Sequence, residues 1–249
     1  MKFLVDADIV AFKAASAVEQ PVNWGGGLWT LHSFEHEAID HCMAYFDKLK
    51  DMLGDGELKL FLTGENNWRK EILPSYKANR KDKRKPMLLM FLRNWMRAQF
   101  NAVVEDGLEA DDLLGIYATA DPDNTLIVSE DKDLKTIPAL LFNPSKDTSP
   151  RRITEFEADY NHMLQTLTGD AVDGFAGCPT VGPKTAEKIL KDCTTAADLW
   201  DATLASFKKQ KLSEEVALVQ AQVARICRDT DFDTNTRKVI PWTPNFQTK

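Results

Sequence analysis

The chain has 249 residues, of which 28% are charged and 43% hydrophobic, a balance typical of soluble globular proteins and unlike that of disordered or fibrous ones. No apolar run approaches the roughly 20 residues that span a membrane. The four cysteines are scattered and form no CxxC pair, which favours reduced thiols over a disulfide framework or a zinc site. We therefore expect a cytoplasmic protein with no membrane partner.

The charge is unevenly distributed along the chain. The net charge is −7, yet residues 69–97 carry ten Lys or Arg against two acids, a local charge of +8 that leaves −15 elsewhere. A basic segment on an acidic body is expected where cations contact phosphates and carboxylates gather at another place. A solvated helix face is the alternative interpretation of this segment.

Short apolar runs alternate with helical patterns along the first 160 residues. In chain order we predict a buried strand in "KFLVDADIVAF" that ends at Asp6, a hairpin turn at "WGGGLW", a helix over 34–53, a strand in "LKLFLTG", a helix over 87–100 and a strand in "NTLIVSED". From about residue 159 onward the pattern is helices and turns, with a late strand in "RKVIPW".

This alternation predicts an α/β fold with a parallel-rich sheet flanked by helices and a helical C-terminal part. Ligands of such sheets bind in the crevice beyond the carboxyl ends of the strands. Asp6 and the pair Asp131 and Asp133 follow predicted strands, so we expect them at that edge.

Acidic residues form four clusters whose spacing aims two carboxylates at one place. The clusters are Asp6 with Asp8; Glu109 with Asp111 and Asp112; Asp131 with Asp133; and Asp170 with Asp173. Residues three apart share a helix face, and residues two apart point the same way in an extended segment.

Converging carboxylates repel unless a cation neutralises them, and their oxygens suit Mg²⁺ or Mn²⁺. Two such ions, roughly 3.5–4 Å apart, can activate water against a phosphodiester. Helix caps and loop decoration are the alternative for any single cluster.

A turn suited to phosphate follows the last acidic pair. In "GDAVDGFAGCPTVGPKTA" the segment "GCPTVGPK" can aim backbone N–H groups at an anion, and Lys184 adds a positive charge. Such contacts predict little base preference and a steep salt dependence.

Together these segments resemble the 5′-nuclease superfamily, which includes flap endonucleases, the 5′→3′ exonuclease domain of polymerase I and phage 5′-exonucleases. The resemblance rests on an ordered set: "FLVDAD", "LPSYKANR", "LEADDLLG", "SEDKDL" and "GDAVDGFAGCPTVGPKTAEKIL". The short C-terminal part is most similar to a phage-type exonuclease.

The resemblance implies a PIN-like α/β nuclease core over residues 1–160, with a basic arch-like segment at 66–86. A helix–hairpin–helix DNA-binding region over 161–249 would complete the same compact unit. It also implies metal-dependent hydrolysis of phosphodiesters near DNA 5′ ends, in replication, primer removal or DNA degradation. The partners would be DNA with a 5′ end and replication proteins, in a host cytoplasm if the chain is phage-encoded.

The resemblance also assigns residues by motif. Two Mg²⁺ or Mn²⁺ ions would be held by Asp6, Glu109, Asp111, Asp112, Asp131, Asp133, Asp170 and Asp173. Lys77 and Arg80 would be the catalytic cations near the scissile phosphate. DNA contacts would come from Tyr76, Lys81, Lys83, Arg84, Gly177, Gly182, Lys184 and Thr185, with Tyr76 or Trp68 stacking on a base. K⁺ at the hairpin is a further candidate cofactor.

The chain departs from the family pattern at three places. The family usually has an aspartate after its second strand, where this chain offers Thr63 and Glu65, so Glu65 is a candidate substitute. Thr180 stands where the hairpin commonly has Gly, and only residues 75–86 are free to form an arch.

Two other functions fit parts of the sequence. A haloacid-dehalogenase-like phosphatase would use Asp6 as nucleophile and Asp8 as acid, but it leaves "LEADD", the basic segment and the hairpin unexplained. A catalytically inactive DNA-binding protein would fit the missing aspartate. RNA as the substrate also stays open, because the metals do not distinguish the sugars.

Overall fold

The structure, a computed structural model, describes residues 1–81 and 83–246. Residue 82 of the predicted arch-like segment and residues 247–249 of the predicted helical region lie outside this description.

The strands are β1 (Lys2–Asp6), β2 (Gln20–Asn23), β3 (Trp29–His32), β4 (Glu57–Thr63), β5 (Val103–Glu105), β6 (Thr125–Val128), β7 (Leu140–Phe142), β8 (Arg151–Arg152), β9 (Phe232–Asp233) and β10 (Lys238–Val239). The helices are α1 (Ala7–Ala17), α2 (Glu35–Leu53), α3 (Arg69–Ile72), α4 (Leu89–Phe100), α5 (Ala110–Ala120), α6 (Glu155–Thr168), α7 (Pro183–Leu190), α8 (Ala196–Lys209) and α9 (Glu214–Ala224).

The central sheet has the strand order β5-β4-β1-β6-β7-β8. The first five strands in this order pair in parallel, and β8 runs antiparallel to β7 at one edge. The predicted parallel-rich sheet is therefore confirmed, as is the hairpin formed by β2 and β3 around "WGGGLW". The late strand is also confirmed, although β10 is only two residues long.

Parallel pairing brings the carboxyl ends of the central strands to one edge. Asp6 ends β1 beside Phe61 of β4, and Val128 ends β6 beside Val5. Thr63 at the end of β4 and the residues after β6 therefore lie at the same edge as Asp6. This is the edge at which α/β sheets bind their ligands.

Side chains of β1 alternate between two hydrophobic cores. Phe3 and Val5 pack with α1, α2 and α4 on one face, whereas Leu4 packs with α5 on the other. The burial of both faces explains why the residues from Phe3 to Val5 are all apolar. A third core, formed by residues of α6, α7, α8 and α9, holds the helical C-terminal part together.

The helical part is joined closely to the sheet. A Cβ on Gly115 of α5 would meet the Cys227 carbonyl oxygen at 2.2 Å, so the chain after α9 can approach α5 because this residue is glycine. Arg228 also donates to Asp159 of α6 (2.6 Å) and to the Thr136 carbonyl (3.2 Å). Within the described residues, no helix is both long and apolar enough to cross a membrane.

Candidate active site

One open cavity of about 460 Å³ lies beyond the carboxyl ends of the central strands. It brings together seven of the eight predicted metal-binding acids and both predicted catalytic cations. These residues are Asp6, Glu109, Asp111, Asp131, Asp133, Asp170, Asp173, Lys77 and Arg80. Asp8 and Thr63 also line the cavity. Acids from four separate chain segments therefore share one space.

Asp6 is fixed at the junction between β1 and α1. It caps the N-terminus of α1 by accepting from the Ile9 N–H (3.3 Å), and it accepts from the Ser129 hydroxyl (3.0 Å). Burial, together with the nearby charges of Asp8 and Asp131, raises the pKa of Asp6 to about 7. The carboxylate is held rigidly in a place where its negative charge is costly without a cation.

The acidic cluster "EADD" divides between two environments at the start of α5. Glu109 and Asp112 form a reciprocal capping box around the first turn of the helix. Asp111 faces the cavity, where burial and the charges of Asp6 and Asp131 raise its pKa well above the usual value. Asp112 is fully buried and does not line the cavity.

The placement of Asp112 corrects its expected role as a metal ligand. Its two oxygens accept from both terminal nitrogens of Arg69 at 2.8 Å, and it also accepts from the Trp68 indole (3.1 Å) and the Cys227 N–H (3.1 Å). Burial would raise its pKa, but Arg69 outweighs burial and holds that pKa below the usual value. Asp112 therefore joins chain segments behind the cavity.

Asp131 and Asp133 lie in a turn after β6. A 3-10 helix spans Lys132–Thr136, and Asp131 caps it by accepting from the Asp133 N–H (2.8 Å). The expectation of an extended segment was wrong here, because the cap turns the chain. Both side chains still line the cavity, and burial together with Asp131 raises the pKa of Asp133 to about 6.

Asp170 and Asp173 belong to a turn after α6, so the predicted shared helix face was also wrong. Asp170 Oδ1 accepts from the N–H groups of Val172 (2.6 Å) and Asp173 (3.1 Å). The Asp170 carbonyl oxygen then accepts from the Gly174 N–H (2.8 Å), which closes the turn. The turn nevertheless brings both side chains to the cavity, as a shared helix face would have done.

Lys77 and Arg80 reach the acids from the segment after α3. The Lys77 N–H donates to the Asp173 carbonyl (2.7 Å), and its ammonium pairs with Glu109 and, at 3.5 Å, with Asp173. Arg80 pairs with the Asp173 carboxylate and donates to the Val172 carbonyl (3.3 Å). Burial opposes the charge of Lys77, but Glu109 and Asp173 outweigh it and raise the pKa of the ammonium.

Tyr76 contradicts its prediction as a DNA-stacking residue. Its side chain is 2% exposed, and its hydroxyl lies 3.0 Å from Glu109 and 2.9 Å from Asp173. Trp68 is also buried, with its indole N–H on Asp112. Neither ring is available to a base, and Tyr76 instead orients two cavity acids from behind.

The DNA contacts predicted for the turn "GCPTVGPK" and the start of α7 are also only partly compatible with the structure. Gly182, Lys184 and Thr185 are exposed at the start of α7, where Gly182 is the N-cap and Pro183 the first residue. Gly177 is buried, and its N–H donates to the Gln220 side chain (2.8 Å). Because a Cβ at Gly177 would meet the Gly169 nitrogen at 2.3 Å, this glycine serves close packing, and its predicted DNA contact was wrong.

A second cavity, of about 250 Å³, connects the acids with this hairpin. It shares Lys132, Asp133 and Asp170 with the first cavity and extends to Pro183 at the start of α7. The predicted basic contacts Lys81, Lys83 and Arg84 are exposed, with Arg84 paired to Glu19 at 2.6 Å. Exposed lysines therefore lie both in the basic segment 66–86 and in α7.

Sequence reasoning gave Arg69 and Arg93 no role in the site, and it placed Asp8 in an acidic cluster without including it among the assigned metal ligands. Asp8 was visible only as the second acid of "DAD", and neither arginine carried a motif of its own. Glu65, the candidate substitute for the missing aspartate, is exposed and does not line the cavity.

The chemistry of these residues fits hard divalent cations. Among the described residues, eight acids and no cysteine or histidine line the cavity, and burial raises the pKa of several of these acids. Across residues 1–81 and 83–246, no three of the acids lie close enough together to coordinate a single ion. Glu109 and Asp173 pair instead with Lys77 and Arg80.

Comparison with known proteins agrees with this geometry. Residues 1–143 match the family described as "5′-3′ exonuclease, N-terminal resolvase-like domain". The chain is 29% identical to an exodeoxyribonuclease of Enterobacteria phage T3, over 97% of this chain and 92% of that protein. It is also 29% identical to an exonuclease of Escherichia phage T7, over 97% of this chain and 93% of that protein.

A solved structure supports the fold. The chain is similar to a flap endonuclease of bacteriophage T5 solved as a complex with DNA and metal ions, with a TM-score of 0.64 and 16% identity, over 92% of this chain and 89% of that one. The predicted architecture, a mostly parallel sheet flanked by helices with a helical C-terminal part, is therefore confirmed.

Proposed function

The chain belongs to the 5′-3′ exonuclease family, and on that basis we propose that its acidic cavity hydrolyses phosphodiesters near DNA 5′ ends with the help of divalent cations. The observation that carries this proposal is the shared cavity itself, in which seven acids of the predicted set meet Lys77 and Arg80. The phosphatase alternative leaves Glu109, Asp111 and both cations without a role, and the family match does not support it.

Mg²⁺ or Mn²⁺ would be held by the cavity acids, in two groups around Asp6, Glu109 and Asp111 and around Asp131, Asp133, Asp170 and Asp173. When bound, two such ions activate water and stabilise the oxygens that attack and leave the phosphorus. The raised pKa values of Asp6 and Asp133 support this assignment, since burial and the charges of neighbouring acids raise them and a bound cation would offset both effects.

Lys77 and Arg80 would act on the phosphate itself. Both cations lie at the cavity and are held there by Glu109 and Asp173. A phosphodiester that enters the cavity therefore meets an ammonium and a guanidinium, which can stabilise the charge that develops on the transferring phosphate. Tyr76 would keep Glu109 and Asp173 oriented through its hydroxyl.

The helical region over 161–249 would bind the duplex away from the cut. Gly182, Lys184 and Thr185 are exposed at a helix N-terminus, where backbone N–H groups and the helix dipole favour a phosphate. The second cavity extends from the start of α7 to Asp133 and Asp170. The site that binds the duplex and the site that cleaves it would therefore be connected. K⁺ at the hairpin is a finer proposal of the same kind.

The basic segment 66–86 would contact the 5′ strand through Lys81, Lys83 and Arg84. Its span is short, so we expect cleavage of blunt and nicked duplex as well as of flaps. Replication, primer removal and DNA degradation in a host cytoplasm are the settings that fit such an activity, and replication proteins would be its partners.

The test is to incubate blunt and 5′-flapped duplexes, each labelled at either the 5′ or the 3′ end of one strand, with the protein in Mg²⁺ and then in EDTA. Mono- or short oligonucleotides released from the 5′ end in Mg²⁺ alone support the proposal. Release from the 3′ end contradicts it. Stable binding of flapped duplex without any cut strand, in Mg²⁺ and in Mn²⁺, would instead make the chain a DNA-binding protein.

A further inference from the structure

We propose that Asp8 completes the cation-binding acids of the cavity and that Arg93 is the residue that positions it. This inference rests on the proposed function of the same site. The carboxylate belongs to α1 and lies beside the end of β4, where none of the described residues that directly follow this strand brings an acid into the cavity.

Asp8 is placed in the cavity by two partners from different elements. Its Oδ2 accepts from the Thr63 N–H at the end of β4 (2.8 Å), and its Oδ1 pairs with Arg93 of α4. Arg93 also donates to the Thr63 carbonyl, so one guanidinium joins Asp8 and Thr63. The carboxylate therefore has a fixed orientation beside Asp6.

The surroundings of Thr63 show why Asp8 supplies the acid there. The Thr63 hydroxyl oxygen accepts from the Ala110 N–H (3.1 Å), which ties β4 to the start of α5. Glu65 is exposed and does not line the cavity. Asp8 therefore places a carboxylate in the part of the cavity beside the end of β4, although it belongs to α1.

Asp8 keeps the capacity to act as a ligand. Its side chain is 25% exposed on the cavity side, and each carboxylate oxygen has two lone pairs of which the contacts above use one. A second acid two residues from buried Asp6 carries an electrostatic cost. Arg93 offsets part of that cost, and a divalent cation, bound directly or through its water, would offset the rest.

The experiment measures Mn²⁺ binding to the whole protein without DNA by isothermal titration calorimetry, with melting temperature in EDTA recorded in parallel. Asp8→Asn keeps an oxygen for the Thr63 N–H and removes the charge. We expect it to weaken Mn²⁺ binding about 10-fold or more while the melting temperature in EDTA stays near that of the parent.

Two further variants keep the inference open to refutation. Arg93→Lys retains the positive charge but loses the fork that joins Asp8 to Thr63, and we expect it to weaken Mn²⁺ binding less than Asp8→Asn does. Glu65→Gln is the matched control, and its Mn²⁺ affinity should equal that of the parent. At saturating Mg²⁺ the cleavage rate of Asp8→Asn should recover towards the parent value.

Unchanged Mn²⁺ affinity in Asp8→Asn, with or without a loss of thermal stability, would overturn the inference and leave Asp8 as a structural link between α1, β4 and α4. That result is distinct from failure of the proposed function, in which the parent protein itself would bind Mn²⁺ without cutting DNA or would not bind it.

Discussion

Arg69 and Asp112 form a two-pronged ion pair behind the acidic cavity, with both Nη–Oδ distances at 2.8 Å. Arg69 is 2% exposed and Asp112 fully buried. The Arg69 Nε also donates to the Val223 carbonyl of α9 (3.0 Å), so the pair joins α3, α5 and the helical C-terminal part. Of two neighbouring acids, Asp111 therefore faces the cavity and Asp112 holds the fold together.

The neighbouring acids provide a matched pair of variants. Asp112→Asn leaves the Arg69 charge buried without its main partner, which should lower the free energy of unfolding by about 3 kcal/mol or more. Asp111→Asn removes a cavity acid and should leave stability in EDTA unchanged or higher, while Mg²⁺-dependent cleavage falls about 100-fold or more. Urea denaturation and single-turnover cleavage measure the two effects. Equal loss of stability in both variants would contradict this division of roles.

Asp6 should make stability depend on pH. Its pKa is about 7 in the folded chain and near the ordinary value in the unfolded chain, so between these values only the folded state keeps the proton. This carboxyl therefore lowers the free energy of unfolding as pH rises from about 4 to 7. Asp6→Asn keeps a helix N-cap and removes this effect.

We expect Asp6→Asn and the parent to differ little at pH 4 in EDTA, and the variant to be more stable by about 1 kcal/mol or more at pH 7.5. The measurement is denaturant unfolding at the two pH values. A stability difference that is independent of pH would show that Asp6 is not held at a raised pKa.

Tyr76→Phe separates positioning from stacking. The ring would still be present for a base, whereas the hydroxyl contacts with Glu109 and Asp173 would be lost. We expect duplex affinity in EDTA to stay at the parent value and the cleavage rate in Mg²⁺ to fall about 10-fold or more, as for residues that orient metal ligands. Normal cleavage by Tyr76→Phe together with weakened DNA binding by Tyr76→Ala would restore the stacking role.

Lys77 and Lys184 should differ in the step that they affect. Lys77→Met should lower the cleavage rate about 100-fold or more with little change in DNA affinity, because the ammonium acts where charge develops. Lys184→Ala should weaken binding to duplexes of any sequence and reduce the slope of log affinity against log salt by about 0.9 for each lost phosphate contact. Binding isotherms across a salt series, with single-turnover rates, distinguish them. A salt slope for Lys184→Ala equal to that of the parent would remove this residue from the interface.

Much of the fold was predictable because its signals are local. A continuous apolar run such as "FLV" marks a strand buried on both faces, and β1 lies at the centre of the sheet with both faces covered. The acids that follow such strands must meet at the carboxyl edge once the strands pair in parallel. The sequence therefore predicted the common cavity.

The errors arose where the orientation of a side chain depends on tertiary contacts. Spacing alone could not separate Asp111 from Asp112, because the partner that removes Asp112 from the cavity is Arg69, about 40 residues away in sequence. Tyr76 is amphipathic, and its two acidic partners come from the N-cap of α5 and from the turn after α6. Asp8 was recognised as part of a cluster but was not assigned to a cation for the same reason, since Arg93 and Thr63 fix it from distant segments.

The main prediction for the cavity is that its acids act together in metal-dependent cutting of DNA from the 5′ end. It is tested most directly by single-turnover cleavage of a 5′-labelled duplex across a Mg²⁺ titration, comparing the parent with an Asp131→Asn, Asp133→Asn double variant. We predict a cleavage rate in the parent that rises with Mg²⁺ and is absent in EDTA, and no measurable cleavage by the variant although it still binds the duplex. Cleavage by the double variant at the parent rate, or cleavage in EDTA, would show that these acids do not act in metal-dependent cutting.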